Sequence, residues 1–596
     1  MKRLACLLLV LSACEARPRV NPGPGEDETS APALNERRVI EFDISSGAPE
    51  ATGDGGLFQL PATRTYAGLV RSLERGLEEE TTAGVFVRFG GHSFDLAQAE
   101  ELGGLLERYA KKKLPVVCHG HAFTNATAAL ALRGCTRRWI SPAGSVDTVG
   151  IAAQLVYLKG LLDRLGVEVD FVSMGRFKSG AEPLTHEGPS EASKQNLTET
   201  LSAVRRGWLD SAHAGALQSA LEQGPWSPEE AKARGLVHAL GFESDALSEA
   251  KKLGSVDASS ASFGPRADSG RGLDIGEILR VLAGGDEATH RPHLAIVPAE
   301  GSITMEAGGP FDSGGISHRA LSKTLRRLAR DESVKAVVLR IDSPGGSALA
   351  SDLLWHEVME LRKKKPVVAS IGGMAASGGY YIAVAAQHLV AEPTSIVGSI
   401  GVFGGKIAFA PALAKFGVNA VTFPASPEPG AAERATYLSP LSSWDDATRE
   451  RVRAQMQSVY DLFVSRVASG RKLPIEAARD SAEGRIYGAA QALERKLVDQ
   501  LGGLRDALEV ARRLGKLESD APVTVEGAAE SLLDMLMLGE DASEAQIKAA
   551  VAKLAERDVI ELGSLPERLR PFAAALGPLL EGERIVAALP YAFTIE

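Results

Sequence analysis

Cysteine is scarce: the 596 residues hold four. That excludes a disulfide framework, and no Cys/His spacing typical of a metal site surrounds any of them. Aromatic residues make up only 5%, so the core rests on Ala, Leu, Val and Ile. There is no excess of positive charge; the net charge of −10 excludes bulk electrostatic attraction to nucleic acid. Long apolar runs are missing too. Leu4–Leu11 is too short to span a bilayer. Pro366–Gln387 carries no charge, but it contains Gly372, Gly373, Gly378 and Gly379 with Ser370 and Ser377. It reads as a buried strand followed by a buried helix. What remains is 44% hydrophobic and 24% charged residues, the balance of a soluble globular protein long enough for more than one domain.

Lys2 and Arg3 precede the short apolar run as a basic leader. Leu11-Ser12-Ala13-Cys14 follows and resembles the lipobox of bacterial lipoproteins. The resemblance implies removal of residues 1–13, diacylation of Cys14 and stable membrane anchoring. The other reading is an ordinary signal peptide that contains Cys14. The expected place is the cell envelope, on the periplasmic side of a Gram-negative membrane. Glu15, where retention in the inner membrane would want Asp, leans towards the outer one. Cys6 leaves with the leader. Cys118 and Cys135 then read as two buried small residues, with a single bridge as the alternative.

Residues 14–56 are rich in Pro, Gly, Glu and Ser and read as a flexible tether. Residues 253–291 read as a linker. Between and beyond them the chain repeats itself. Gly84-Val85-Phe86-Val87-Arg88-Phe89 parallels Ala336-Val337-Val338-Leu339-Arg340-Ile341, and Lys112-Lys113-Leu114-Pro115-Val116-Val117 parallels Lys363-Lys364-Lys365-Pro366-Val367-Val368. Ser141-Pro142-Ala143-Gly144-Ser145-Val146 parallels Glu392-Pro393-Thr394-Ser395-Ile396-Val397. Short β-branched runs alternate with helical patterns in each copy, which predicts tandem α/β domains with parallel sheets at 57–252 and 292–516. Residues 517–596 read as a helical extension, clearest over Glu544–Arg557.

Two segments carry chemistry. In Ala375-Ala376-Ser377-Gly378-Gly379-Tyr380-Tyr381 an apolar strand enters a glycine turn, then a serine, then an apolar helix. Ser377 there lies at the positive end of a helix dipole, and the Gly378 amide can face an oxyanion. A tight turn in which Ser377 only caps the helix fits equally well. In Asp342-Ser343-Pro344-Gly345-Gly346-Ser347 the glycines let backbone approach a ligand, and the Gly346 amide could supply a second oxyanion donor. A plain turn uses the same residues.

These motifs, followed by Gly398-Ser399-Ile400-Gly401-Val402-Phe403, resemble the signal peptide peptidase A family in its double-length form, over roughly residues 60 to 515. The resemblance implies a ClpP/crotonase-like fold and a Ser/Lys dyad that cleaves remnant signal peptides without a cofactor or metal. It places the nucleophile on Ser377. It places the general base on Lys178, within Gly175-Arg176-Phe177-Lys178-Ser179-Gly180. Ser399 would orient that lysine, its other reading being a cap. It also implies a homo-oligomer, a tetramer in the long members. Lysine can act as a base only when burial depresses its pKa from about 10.4 towards about 7–8.

The duplication provides an internal check. The first-copy position matching Ser377 is Asn125 or Ala126, and neither is a nucleophile. The second-copy position matching Lys178 falls near Pro429, with no lysine. Each copy has lost the half that the other keeps, as a composite site requires. Copy one also has Phe89-Gly90-Gly91-His92 in place of the Gly345-Gly346 turn. The competing readings are a Ser/His/Asp peptidase using His92, His119 or His121, an acyl-CoA enzyme of the crotonase kind, and a non-catalytic membrane-anchored scaffold.

Overall fold

The computed structural model describes residues 36–50, 65–90, 94–263, 291–306, 315–526 and 586–588. The expectations for Cys14, for His92 and for a helix at Glu544–Arg557 lie outside the described residues.

In the first repeat β1 (Arg38–Asp43), β2 (Thr82–Phe89), β3 (Val116–Thr124) and β4 (Arg137–Asp147) run side by side in parallel. β5 (Glu168–Met174) leaves that sheet, while β6 (Ala239–Leu240) and β7 (Ser259–Phe263) close its edges, in the order β6-β4-β3-β2-β1-β7. The second repeat begins with β8 (His293–Glu300), β9 (Ile303–Thr304), β10 (Ile316–Ser317), β11 (Val334–Ser343), β12 (Gly345–Ser347) and β13 (Val367–Ala376). It continues through β14 (His388–Ala391), β15 (Ile396–Gly398), β16 (Val402–Ala408), β17 (Ile486–Gly488), β18 (Gln500–Leu501), β19 (Val523–Val525) and β20 (Val586–Ala588). Its main sheet has the order β17-β15-β13-β11-β8-β19, with β14 beside β13 and β18 beside β14. Helices cover both faces of such parallel sheets, so the strands read as continuous apolar runs rather than alternations. β11 is an instance: Ala336, Val337, Val338 and Leu339 are all buried.

Four stretches depart from the sequence expectation. β1 falls inside the expected tether, and Glu50, also within it, is buried. The run Val39-Ile40-Glu41-Phe42-Asp43-Ile44 is short, and its Pro- and Glu-rich surroundings hid it. β7 falls in the expected linker, and β19 and β20 fall in the expected helical extension. β7 and β19 are counterparts. Each follows the last helix of its repeat, Glu243–Gly254 or Leu504–Gly515, and adds in parallel to that repeat's first strand. Backbone pairing holds them there, which polar sequences such as Ser259-Ser260-Ala261-Ser262 do not advertise.

Cys118 and Cys135 form a disulfide rather than two separate buried thiols. β3 runs out and the helix Asn125–Gly134 runs back, which returns the chain until their Cα atoms are 5.9 Å apart. Closing a loop of this size restricts the unfolded chain by about 3 kcal/mol.

Buried polar contacts join the repeats. Arg340 on β11 donates to Glu50 Oε1 at 2.9 and 3.1 Å and to Ser370 Oγ at 3.0 Å. Glu100 accepts from the backbone and hydroxyl of Thr394 at 3.2 and 3.1 Å, and burial pushes its carboxyl up to about 7. A third sheet, β10-β9-β12-β20-β16-β5, mixes the repeats: β5 of the first pairs antiparallel with β16 of the second, from Met174↔Val402 to Glu168↔Ala408. That ladder positions the site.

Candidate active site

β13 pairs with β15 up to Ala376↔Gly398, and the next residue is Ser377. It caps the helix Gly378–Ala383 with φ 54° and ψ −113°. A non-glycine residue in this region stores on the order of 1–3 kcal/mol of strain and persists only when its surroundings dictate it. They do so here: the Ser377 amide donates to Gly398 O at 2.7 Å and its carbonyl accepts from Tyr381 at 2.8 Å. The following helix is pressed so close to β11 that a Cβ on Gly379 would lie 2.8 Å from Ser343 O.

Lys178 arrives from the other repeat. The chain leaves β5 through Gly175, whose φ is +107° and whose added Cβ would lie 2.5 Å from the Glu483 carbonyl carbon. The Phe177 amide then donates to Glu483 O at 2.7 Å. Gly484 comes so near that a Cβ there would sit 2.5 Å from Lys178 N. Arg485 lies over the Phe177 ring at 4.0 Å, and its carbonyl accepts from the Ser399 amide at 2.7 Å. Sequence reading missed this clamp of residues 483–485. Most of the contacts named are made by backbone, and the one signal was a Gly at a turn.

The lysine Nζ lies 2.7 Å from Ser377 Oγ, 3.0 Å from Ser399 Oγ and 3.1 Å from Ser399 O. Lys178 is 3% exposed and both serines are 0% exposed. Burial drives the amine well below its ordinary value of 10.5. The amine thus has three oxygens at hydrogen-bond distance, two of them from Ser399 and the third the Ser377 hydroxyl. Ser399, like Ser377, has a positive φ of 54°.

Gly346 lies in β12, where a Cβ would be 2.1 Å from Ile303 O, so no side chain fits. The turn before it is held by Ser343, whose hydroxyl accepts from the Gly345 amide at 3.1 Å and donates to Gly301 O at 2.7 Å. Gly378 follows Ser377 directly as the first residue of its helix.

The first repeat shows the same backbone without the chemistry. Thr124 pairs with Asp147 as Ala376 pairs with Gly398, so the position matching Ser377 is Asn125. Its amide is consumed structurally: Nδ2 donates to Gly150 O at 2.9 Å and Oδ1 accepts from the Val149 amide at 3.0 Å. His119 contacts Gly241 O at 3.2 Å and Ser141 Oγ at 3.4 Å, and His121 contacts Ser141 Oγ at 2.8 Å. Among the described residues, no group of His, Cys, Asp and Glu could hold a metal ion.

Residues 108–257 and 359–518 match the family model described as peptidase family S49, and residues 314–396 match that described as Clp protease. The chain is 30% identical over 403 residues to the chloroplastic serine protease SPPA of Arabidopsis thaliana, covering 66% of this chain and 57% of that one. It is 28% identical over 440 residues to Protease 4 of Haemophilus influenzae, covering 72% and 69%. It is also 28% identical over 458 residues to Protease 4 of Salmonella typhi, covering 76% and 72%. The chain thus spans less than two thirds of the plant relative's length.

Proposed function

The chain belongs to peptidase family S49 and carries that family's ClpP-like α/β domain in tandem, and we propose that it is a serine endopeptidase with Ser377 as nucleophile and Lys178 as general base. The observation that carries the proposal is the contact of 2.7 Å between a buried lysine, whose amine burial holds well below its ordinary pKa, and a buried serine hydroxyl. The Lys178 lone pair takes the hydroxyl proton as Ser377 Oγ bonds to the substrate carbonyl carbon. The amides of Gly346 and Gly378 receive the oxyanion. The proton passes from Lys178 to the leaving nitrogen as the C–N bond breaks, which leaves an ester on Ser377. Water then attacks the ester, Lys178 takes its proton, and the acid and free serine are released. Ser399 holds the amine so that its lone pair points at Ser377.

Apolar peptides near a membrane, cleaved signal peptides among them, are the proposed substrates. Anchoring through Cys14 at the envelope would place the enzyme beside them, and the disulfide suits such an oxidising compartment. The Ser/His/Asp alternative is disfavoured because His119 and His121 are engaged within the first repeat. A fluorophosphonate probe tests the proposal: Ser377 alone should be modified, as located by peptide mass spectrometry. Modification elsewhere, or none, would remove Ser377 from its role.

The same reading includes a homo-oligomer. Gly166-Val167-Glu168-Val169-Asp170-Phe171, which leads into β5, aligns with Gly417-Val418-Asn419-Ala420-Val421-Thr422 at the repeat offset. By the same offset the counterpart of β16 is 151–157. Neither counterpart forms a strand, and Val418, Val421 and Phe423 are 53%, 73% and 88% exposed. The β5–β16 ladder is therefore made once within the chain, and its two counterpart segments could make it again with a second copy. Such a head-to-tail contact closes into a ring when the rotation allows. The double variant Val421→Asp/Phe423→Asp should run at lower mass in light scattering; an unchanged mass would exclude this surface as the contact.

A further inference from the structure

We propose that Glu483 is a positioning residue for the general base: its carboxylate ties the Lys178 loop to Tyr460 on the helix Asp446–Arg471, and so holds the amine against Ser377 and Ser399. The inference rests on the peptidase reading above and adds what fixes the base in its site.

Glu483 has a φ of 60°, and Gly484 after it has 74°. Glycine would make such a turn with less strain, and a non-glycine residue in the left-handed region is uncommon. What the glutamate adds is its side chain. Oε2 accepts from the Arg176 amide at 2.9 Å, and Oε1 accepts from the Tyr460 hydroxyl at 3.0 Å. The Tyr460 oxygen in turn accepts from the Glu483 amide at 3.2 Å. Tyr460 is buried within the helix Asp446–Arg471. Burial pushes its hydroxyl up to about 12, so it stays a donor at neutral pH.

The turn faces both sides of the amine. Glu483 takes the amides of Arg176 and Phe177, the two residues directly before Lys178, through its carboxylate and its carbonyl. On the other side the Gly484 amide donates to Ile400 O at 2.8 Å, and Arg485 O accepts from the Ser399 amide. Three consecutive residues therefore set the spacing between the backbone of Lys178 and that of Ser399, which supplies two of the amine's three contacts. The helix of Tyr460 reaches the nucleophile as well. Its Phe463 stacks on Tyr381 with ring centroids 4.4 Å apart, and the Tyr381 amide donates to Ser377 O. One helix thus registers both halves of the dyad. The charged groups around the turn are Arg176 and Arg485, 5.5 and 4.0 Å over the Phe177 ring, Glu199, paired with Arg485 at 3.3 Å, and Arg479, which acts on Tyr460. None of them is among the three contacts of the Lys178 amine.

Glu483→Gly separates positioning from mere turn formation, because glycine adopts the same φ without strain yet carries no carboxylate. With a short apolar peptide ester its kcat should fall by roughly 10–100-fold with KM little changed, as a misplaced catalytic group implies. The loosened amine meets water, so the apparent pKa of kcat/KM should rise by at least about one pH unit towards that of free lysine. Glu483→Gln should recover activity to within about threefold of wild type, since its amide oxygen can accept from Arg176 while its NH₂ donates to the Tyr460 oxygen. Wild-type kcat in the folded glycine variant would overturn the inference and leave the peptidase intact. So would a lower kcat with an unmoved pKa, because a structural defect reduces the active fraction without changing its titration. If the glycine variant does not fold, Tyr460→Phe decides by the same two readouts. A wild type that hydrolyses no ester would remove the peptidase reading, and this inference with it.

Discussion

Lys178→Met should reduce hydrolysis of a peptide ester by about 10²–10⁴-fold, the range contributed by a positioned general base, and should at the same time stabilise the fold. The first effect follows from the 2.7 Å contact with Ser377 Oγ: without the amine nothing at hydrogen-bond distance can take the proton, since the other contact of Ser377 Oγ is the Gly401 carbonyl at 3.4 Å. Lys178→Arg should be equally inactive, because guanidinium stays protonated. The second effect follows from burial. The folded-state pKa of Lys178 is well below 10.5, so the unfolded state binds more protons in the window between the two values. Stability therefore rises with pH through that window, and below it the lysine opposes folding. Methionine, apolar and of similar length, removes the opposition. Thermal melts should show the variant above wild type at pH 7, with the gap closing as pH approaches 10.5. A variant less stable than wild type at pH 7 would contradict the buried neutral amine. In the wild type kcat/KM should rise with an apparent pKa well below 10.5, and a rise only above about pH 10 would count against a tuned lysine.

Gly346→Ala should cost roughly 10²–10³-fold in kcat, the loss seen when one oxyanion donor is removed. A methyl group there would lie 2.1 Å from Ile303 O and 2.5 Å from Ile303 N. These are backbone atoms of β9 and cannot swing aside like the end of a long side chain, so β12 itself must move. The amide of residue 346 then leaves its place while Ser377 and Lys178 keep theirs. Gly160→Ala is the control, because a Cβ there meets nothing within 4 Å. If Gly346→Ala retains wild-type kcat, the second oxyanion donor must be sought elsewhere. Ser343 holds the same turn through its two hydrogen bonds, and its effect should appear through Gly346 rather than through direct contact with substrate.

Much of this was legible in the residues because burial leaves a periodic trace. Buried parallel strands such as Ala336–Ile341 and Pro366–Ser370 wrote continuous apolar runs, and the second copy repeated the first closely enough to align. Ser377 was legible from a strand, a glycine turn and a helix in succession. Other features left weaker traces. Lys178 carries no local mark of burial, because the residues that bury it, Glu483 to Arg485, lie some three hundred positions away in the chain. The register between Asn125 and Ala126 could not be chosen until strand pairing aligned Thr124 with Asp147. β1, β7 and β19 were missed because short strands in polar surroundings depend on neighbours for their hydrogen bonds.

The amino-acid sequence by itself determined the duplicated α/β architecture, the serine at the strand–helix junction and the complementary loss of one half-site in each copy. These depend on local periodicity and on residue identity, both of which are written position by position. Only the tertiary structure decided that Lys178 and Ser377 meet within one chain, that Cys118 joins Cys135, and that β20 lies across Gly346. Those outcomes depend on which backbone edges meet. Nearly every residue carries the same N–H and C=O groups, so the choice of partner is made by the packed fold and not by the side chains of the strands concerned.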